Sequence, residues 1–227
     1  VSNIGTLDIY HWSDSIEKIL KDSNATEFSK NIARQIIEFC SEPHFNYAFD
    51  SNVKNVLKVL LDEYFEAIWE IIGAGLIGDY LTYFHLKNML GTRNGNWGHE
   101  GHLFENGSRN KKILEWVRKH DEVAPKRIAN MMPIESGNSE SIEWHPFTKV
   151  IIDEFGHMDD VLKELSANMG TFGTTGSSVP YYKNQKVLLE QLLDHQLENV
   201  TAWAEKMTEY TERCIKREQL DDEERYL

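Results

Sequence analysis

The residues whose types and spacing come closest to a chemical site are His99-Glu100-Gly101-His102. Two imidazoles and a carboxylate in this short segment can supply metal ligands, because neutral imidazole binds first-row metals well. The familiar helical zinc motif, however, places its two histidines four residues apart on a helix, whereas these are closer together in a glycine-rich stretch. The spacing therefore favours a polar loop that packs Trp97 and Phe104 over a metal centre.

A metal site in this loop would need a further ligand from elsewhere in the chain. The candidate donors are distant histidines, namely His11, His85, His145 and His157. We keep as the alternative hypothesis an all-α metal-dependent enzyme in which His99 and His102 bind the metal together with Glu100 and one of these residues. The main hypothesis includes no metal and no cofactor.

A second glycine-rich segment, residues 169–178, superficially resembles a phosphate-binding loop. A Walker-type loop needs a Lys followed by Ser or Thr after its last glycine, so that a cation meets the phosphates. Gly176 is followed by Ser177-Ser178, so the cation is missing. The dinucleotide fingerprint also fails, because its first two glycines must be one residue apart and follow a strand. We interpret the segment as an inter-helix loop that ends at Pro180.

The sequence offers no other pattern typical of a catalytic site. There is no Gly-x-Ser-x-Gly elbow to position a nucleophilic serine. Cys40 and Cys214 each lie on an apolar helical face, where a thiol usually packs in the core. Adjacent acids such as Asp159-Asp160 do not face each other on a helix, so they are poor acid-base pairs. The prediction is a chain without catalytic activity of its own.

Composition excludes several classes of partner. The formal net charge of −13 repels a phosphate backbone, which argues against a nucleic-acid-binding protein. The most apolar stretch, residues 53–77, carries Lys58, Asp62, Glu63, Glu66 and Glu70 near a four-residue spacing, which predicts a solvated helical face and no membrane span. Two distant cysteines and no signal peptide favour a cytoplasmic protein. The missing initial Met indicates a fragment or a processed chain.

Helical periodicity dominates the chain and predicts an all-α fold. Strand signals are weak, because the β-branched run at Lys149 to Ile152 also fits the helical spacing of Phe147, Val150, Ile151 and Phe155. Glycines 73, 75 and 78 are expected to end the third helix, and Asn110 to begin the fifth. The predicted helices cover residues 13–20, 26–40, 52–72, 79–90, 110–120, 124–132, 146–155, 159–169, 186–195 and 198–217.

Three stretches resist helix formation: residues 91–108, 135–144 and 170–179. Connections of this length usually bind something or are disordered. We place the boundary between two halves in the second stretch. This gives an N-terminal helical half at 1–140, with the long loop 91–108, and a C-terminal half of helical hairpins at 141–227, unless the two form one continuous domain.

The strongest architectural signal is a helical hairpin near the C-terminus. Its first helix carries Val187, Leu188, Leu189, Leu192 and Leu193 on one face. Its second carries Val200, Trp203, Ala204, Met207, Tyr210 and Cys214, after the short step Gln196-Leu197. A lone hairpin buries only one side of its apolar face, so hairpins usually stack. The pattern therefore predicts antiparallel hairpins stacked as an irregular α-solenoid.

Aromatic residues in or beside the long loops are the candidate binding residues. Trp97, Trp144, Tyr181 and Tyr182 have this placement, and aromatic side chains presented by loops are common anchors of protein interfaces. Trp69, Trp116 and Trp203 instead fall on apolar helical faces, where core packing is the better interpretation.

The C-terminal hairpin resembles a HEAT-type repeat in Asp194-His195 and the run Glu198 to Ala204, although Thr201 stands where that family usually has Arg. Ile113 to Val117 with Asp121 to Ala129 looks like a similar helix pair. Residues 144–226 are also similar to C-terminal helical regions of large bacterial signal-transducing NTPases and antiphage-defence proteins. The segments that carry this second resemblance are Trp144 to Phe147, Ile152 to Gly156, Leu165 to Asn168, Val179 to Tyr182 and Trp203 to Lys206.

The resemblance implies a HEAT-like sensor region whose NTPase or effector lies in other domains. We therefore expect a non-catalytic protein-binding domain, and the resemblance further implies that it is the recognition part of a larger bacterial defence protein. Its partner would be another protein or another domain of the same parent. A structural domain that oligomerises through an exposed hairpin face is the remaining alternative, and the sequence assigns no oligomeric state.

Overall fold

The fold is mostly helical, in a computed structural model that describes residues 6–21, 25–42, 50–91, 94–95, 102–104, 106–138, 141–170, 172–173 and 176–225. The chain divides into two compact units. The first comprises Val1–Gly91 and Gly101–Trp116, and the second comprises Thr92–Glu100 and Val117–Leu227.

The first unit is built around a long helical segment, α3, that is kinked at Tyr64. Its elements are α1 (Thr6–Leu20), α2 (Thr26–Ser41), α3 (Asp50–Ile77), α4 (Tyr80–Leu90), a 3-10 helix (His102–Phe104) and α5 (Gly107–Lys119), whose last turn belongs to the second unit. Helices α1, α2 and α4 all pack on α3. The acidic stripe of α3 is exposed, as its spacing predicts, while Leu57, Leu60, Ile68 and Trp69 on the other side are fully buried.

Gly73 and Gly75 do not end α3, so that prediction is wrong. The helix continues to Ile77, and only Gly78 lies beyond it. A Cβ atom at position 73 would lie 2.7 Å from the indole of Trp116, and one at position 75 would lie 2.5 Å from Ile37. These glycines are inside the helix because neighbouring side chains pack directly against its backbone.

The second unit combines five helices with short strand pairs in its described part. Its elements are β1 (Asn94–Gly95), α6 (Ala124–Ala129), β2 (Glu135–Asn138), β3 (Ser141–Trp144), α7 (Pro146–Phe155), α8 (Asp159–Met169), β4 (Phe172–Gly173), α9 (Val179–Glu190) and α10 (Glu198–Arg225). Strands β1 and β4 pair in parallel over two residues each. Helix α6 packs on α7 and α8, and α10 packs on α8 and α9.

Strands β2 and β3 form an antiparallel hairpin that the sequence analysis missed. Glu135 pairs with Trp144 and Asn138 pairs with Ser141. The signal is weak because only Ile142 and Trp144 alternate with polar residues in β3, and Gly137 interrupts β2. The boundary predicted between residues 140 and 141 falls inside this hairpin, and both strands belong to the second unit.

Helices α9 and α10 form the predicted C-terminal hairpin, with a shift at its start. The first helix runs from Val179 to Glu190, not from 186 to 195, and it begins earlier because Pro180 suits the first turn of a helix. Lys186 on α9 contacts Glu212 on α10, with 2.7 Å between Nζ and Oε1. Leu188 and Leu189 of α9 and Val200 and Ala204 of α10 are each fully buried.

Among the described residues, no helix combines the length and the apolarity needed to cross a bilayer.

Candidate interaction groove

The predicted metal-binding loop lies mostly outside the described residues. Trp97, His99 and Glu100 are not described, and of His102 only the backbone is, within the 3-10 helix. Over the part of the chain whose side chains are described, no group of three or more His, Cys, Asp or Glu residues could hold a metal ion. The hypothesis of a metal centre at His99 and His102 stays a prediction.

Trp144 lies in the core of the second unit, so its predicted exposure on a loop is wrong. It ends β3, is only 5% exposed, and donates a hydrogen bond from Nε1 to the Leu188 carbonyl oxygen at 2.7 Å. This contact ties the β2–β3 hairpin to α9. Because the indole is enclosed by its own unit, its evident contribution is to folding.

Tyr181 and Tyr182 lie in the first turn of α9, where the sequence analysis expected the end of a loop. The Tyr181 hydroxyl donates to the Met169 carbonyl oxygen at 2.7 Å, and the two rings meet edge to face at 6.0 Å. Burial raises the pKa of the Tyr182 phenol to about 12, with Cys214 and Tyr210 contributing. Both tyrosines are half-buried, and their binding role stays a prediction.

A groove between α8 and α10 is our candidate for a functional surface in the second unit. Its volume is about 640 Å³, and both helices run in the same direction along it. We call it the α8–α10 groove. Its walls consist of Asp159, Leu162, Lys163 and Ser166 from α8, and Glu198, Asn199, Ala202, Trp203, Lys206 and Met207 from α10.

Trp203 is fixed at the base of this groove by a short hydrogen-bond chain. Its Nε1 donates to the Ser166 hydroxyl at 2.8 Å, and that hydroxyl donates to the Leu162 carbonyl oxygen at 2.9 Å. The ring also lies 6.4 Å from that of Trp144, centre to centre. Trp203 is nevertheless only half-buried, so one part of the indole is held and another part faces the groove.

An apolar stripe extends from Trp203 along α10. Met207 and Tyr210 follow it at four and seven residues, the spacing that keeps side chains on one side of a helix. Met207 is half-buried, and Tyr210 is 50% exposed. In contrast, Val200 and Ala204 of the same predicted apolar face are fully buried. The face therefore divides into a core side and an accessible side.

The acidic residues at one end of the groove are accounted for by local structure. Asp159 and Glu198 lie in the first turns of α8 and α10, where a carboxylate offsets the positive end of the helix dipole. Asp159 also accepts a hydrogen bond at 3.1 Å from the Asn199 side chain, which donates to the His157 carbonyl oxygen as well. This end of the groove is satisfied within the unit.

The basic residues of the groove have no such compensation. Lys163 on α8 and Lys206 on α10 are both exposed, and neither has an ion pair with any carboxylate in the described part of the chain. The groove thus presents two uncompensated ammonium groups beside an apolar base.

The start of α10 is held in place by a polar turn. His195 accepts a hydrogen bond at Nδ1 from the Leu197 backbone N–H at 3.1 Å, so its other nitrogen donates to Asp153 at 3.0 Å. The Thr201 hydroxyl donates to the His195 carbonyl oxygen at 3.1 Å. Thr201 therefore stabilises the turn from which α10 begins.

Sequence comparison adds no family to this geometry: no family model, curated protein or solved structure matches the chain. The groove must therefore be interpreted from its own residues. Sequence analysis placed Trp203 in the core. It did not single out Lys163 or Lys206, because the sequence does not show which residues surround a lysine in the folded chain. The spacing of Trp203, Met207 and Tyr210 is the one signal that points to this surface.

Proposed function

We propose that this chain is a non-catalytic protein-binding helical domain that receives its partner in the α8–α10 groove. One observation carries the proposal: a half-buried tryptophan lies at the base of a groove whose two lysines have no acidic partner within the described residues. Protein interfaces are typically built from an aromatic or methionine centre with charged groups at the rim. Trp203 and Met207 supply the centre, and Lys163 and Lys206 supply the rim.

The finer part of the proposal concerns architecture and biological setting. A HEAT-like arrangement of stacked hairpins would extend the groove into a longer concave surface. On the resemblance of residues 144–226 to sensor regions, we propose that the domain is the recognition part of a larger bacterial defence protein. Its partner would then be a foreign protein or another domain of the same parent. Of the contact residues predicted from sequence, Trp97, Tyr181 and Tyr182 remain candidates, whereas Trp144 is enclosed in the core of its own unit.

Filling the groove tests this proposal without removing any interaction of the folded chain. Ala202 is exposed and lines the groove, so Ala202→Trp would occupy the space that a partner needs. Ala167 is exposed on α8 but does not line the groove, and Ala167→Trp is the matched control.

Both variants and the unmodified chain would be used as bait in extracts of the source cells, followed by quantitative mass spectrometry. We expect one or more proteins that are retained by the unmodified chain and by Ala167→Trp but lost with Ala202→Trp. Identical retention by all three baits would reject the groove as the binding surface.

A further inference from the structure

The charge pattern of the α8–α10 groove indicates what kind of segment it binds. We propose that the groove receives an acidic amphipathic helix from another protein, whose apolar side packs on Trp203 and Met207 and whose carboxylates pair with Lys163 and Lys206. This inference rests on the proposed function and specifies the class of partner. It requires a helical shape and an acidic charge, and the groove gives a reason for each.

The helical shape follows from the walls and the base of the groove. Helices α8 and α10 run side by side, and the accessible stripe of Trp203, Met207 and Tyr210 has steps of four and three residues. Such a stripe is the seam along which one helix packs on another. A third helix laid between α8 and α10 would cover this stripe along its length, which is the usual helix-in-groove mode of recognition.

The acidic charge follows from what the fold leaves uncompensated. Asp159 and Glu198 are offset by the helix ends on which they lie, and Asp159 is also bonded to Asn199. The ammonium groups of Lys163 and Lys206 remain, one on each wall. A partner with acidic side chains at both edges of its apolar stripe would pair with both walls, whereas a basic partner would be repelled by them.

A second copy of this chain is a weaker candidate for the occupant. The net charge of −13 makes two copies repel each other over their whole surfaces. An anionic membrane would also satisfy the lysines, but it needs no groove, and two lysines give only about 2 kcal/mol of surface attraction. A helix uses both the shape and the charge of the site.

The test uses three fluorescein-labelled synthetic peptides of 18 residues. The first is an amphipathic helix with Leu and Phe on one face and Glu at its edges. The second replaces every Glu by Lys, and the third has the composition of the first in an order that forms no apolar face. Binding to the full chain is measured by fluorescence anisotropy at low and high salt.

A pair of charge-reversal variants locates the binding. Lys163→Glu/Lys206→Glu reverses the groove, and Lys149→Glu/Lys183→Glu is the matched control. Lys149 on α7 and Lys183 on α9 are also exposed and unpaired within the described residues, and lie outside the groove. Both double variants change the net charge equally, so any difference between them is local.

We expect the Glu peptide to bind the unmodified chain and the control, and to lose about tenfold in affinity with the groove variant, because two attractions become repulsions. The Lys peptide should bind the groove variant better than the unmodified chain. Salt should weaken binding of the Glu peptide, and the scrambled peptide should bind least.

Several results would overturn the inference. Equal affinity for the Glu and Lys peptides, equal losses in the two double variants, or no binding of the Glu peptide would each contradict it. Self-association of the chain that the groove variant abolishes would contradict it as well. So would binding to phosphatidylserine vesicles without binding to the Glu peptide. If Ala202→Trp still removes a partner from cell extracts, the proposed function stands and only the acidic helix is rejected. If neither experiment shows an effect, both fail.

Discussion

The tryptophans of the two units show how the same side chain serves packing in one place and an accessible surface in another. Trp69 in the first unit is fully buried, stacked on Phe65 at 5.2 Å and edge-on to Trp116 at 5.3 Å. Its indole N–H has no hydrogen-bond acceptor among the described residues. Trp203 in the second unit has its N–H fixed by Ser166 and leaves part of its ring accessible.

The basic side chains of the two units show the same contrast between internal contacts and accessibility. In the first unit, Arg109 is 8% exposed, lies over the Phe65 ring and contacts Asp62 at 2.7 Å, while Lys112 contacts Glu66 at 2.9 Å. In the α8–α10 groove, Lys163 and Lys206 have no acidic partner in the described part of the chain. The comparison shows that Arg109 and Lys112 are paired with carboxylates of α3 within the first unit, whereas the two lysines of the groove have no such pairing within the described residues of the second.

Truncating the two tryptophans tests the contrast with the largest effect. Trp69→Ala should lower the free energy of unfolding by about 3–5 kcal/mol, because it leaves a large cavity in a close-packed core. Trp203→Ala should cost clearly less, because part of that ring is already exposed. Urea denaturation followed by circular dichroism measures both. Equal losses in the free energy of unfolding would mean that Trp203 is a core residue and that its ring is not part of an accessible surface.

Close packing against α3 is tested by Gly73→Ala. The added methyl group would lie 2.7 Å from the Trp116 indole, so we expect a loss of about 1–3 kcal/mol in the free energy of unfolding. Gly107→Ala is the control, since nothing lies within 4 Å of a Cβ atom there. A gain in stability for Gly73→Ala, as helix propensity alone would give, would show that the two elements are not packed this closely.

The first two predictions also show what the sequence could and could not provide. Periodicity found each described α-helix because the 3.6-residue repeat of apolar residues is local. It wrongly ended α3 at Gly73, because the reason for that glycine is Trp116, more than forty residues away. It began α5 at Asn110 although the Asn106 side chain caps a helix that starts at Gly107.

The groove was harder to find than the helices. Lys163 and Lys206 differ from other unpaired surface lysines, such as Lys149 and Lys183, in lining the groove, and that depends on which helices become neighbours. The apolar residues of α10 were visible, but the sequence could not tell that Val200 is fully buried while Tyr210 is exposed. Both facts are properties of packing and not of spacing.

Removing single charges tests whether the charged residues of the two units differ in their contribution to stability. Asp62→Ala should destabilise the chain by about 1–2 kcal/mol, because it leaves the largely buried Arg109 without this carboxylate. Lys163→Ala and Lys206→Ala should stay within about 0.5 kcal/mol of the unmodified chain, since neither removes an ion pair. Thermal and urea unfolding measure these differences. A large loss from either lysine variant would reveal a structural role.

The smallest expected effect is a pH dependence that belongs to the second unit. Burial lowers the pKa of His145 below its ordinary value of 6.5, and its Nδ1 accepts the Phe147 backbone N–H at the start of α7. The unfolded chain therefore takes up this proton more readily, so the free energy of unfolding should fall as the pH drops below about 6.5.

His145→Asn should weaken this dependence, because asparagine can cap the helix without titrating. Unfolding curves at pH 7.5 and 5.5 provide the measurement. An unchanged pH dependence in His145→Asn would assign the effect to other groups.

The most direct test of the central claim is photo-crosslinking from single positions in source cells. A photoreactive amino acid would replace Ala202 or Lys206 in the groove, and Glu205 on α10 or Lys183 on α9 as exposed positions outside it. A partner in the α8–α10 groove predicts one adduct of the same mass with another protein from Ala202 and Lys206, and none from Glu205 and Lys183. The absence of an adduct from the groove positions, or the same adduct from all four, would contradict it.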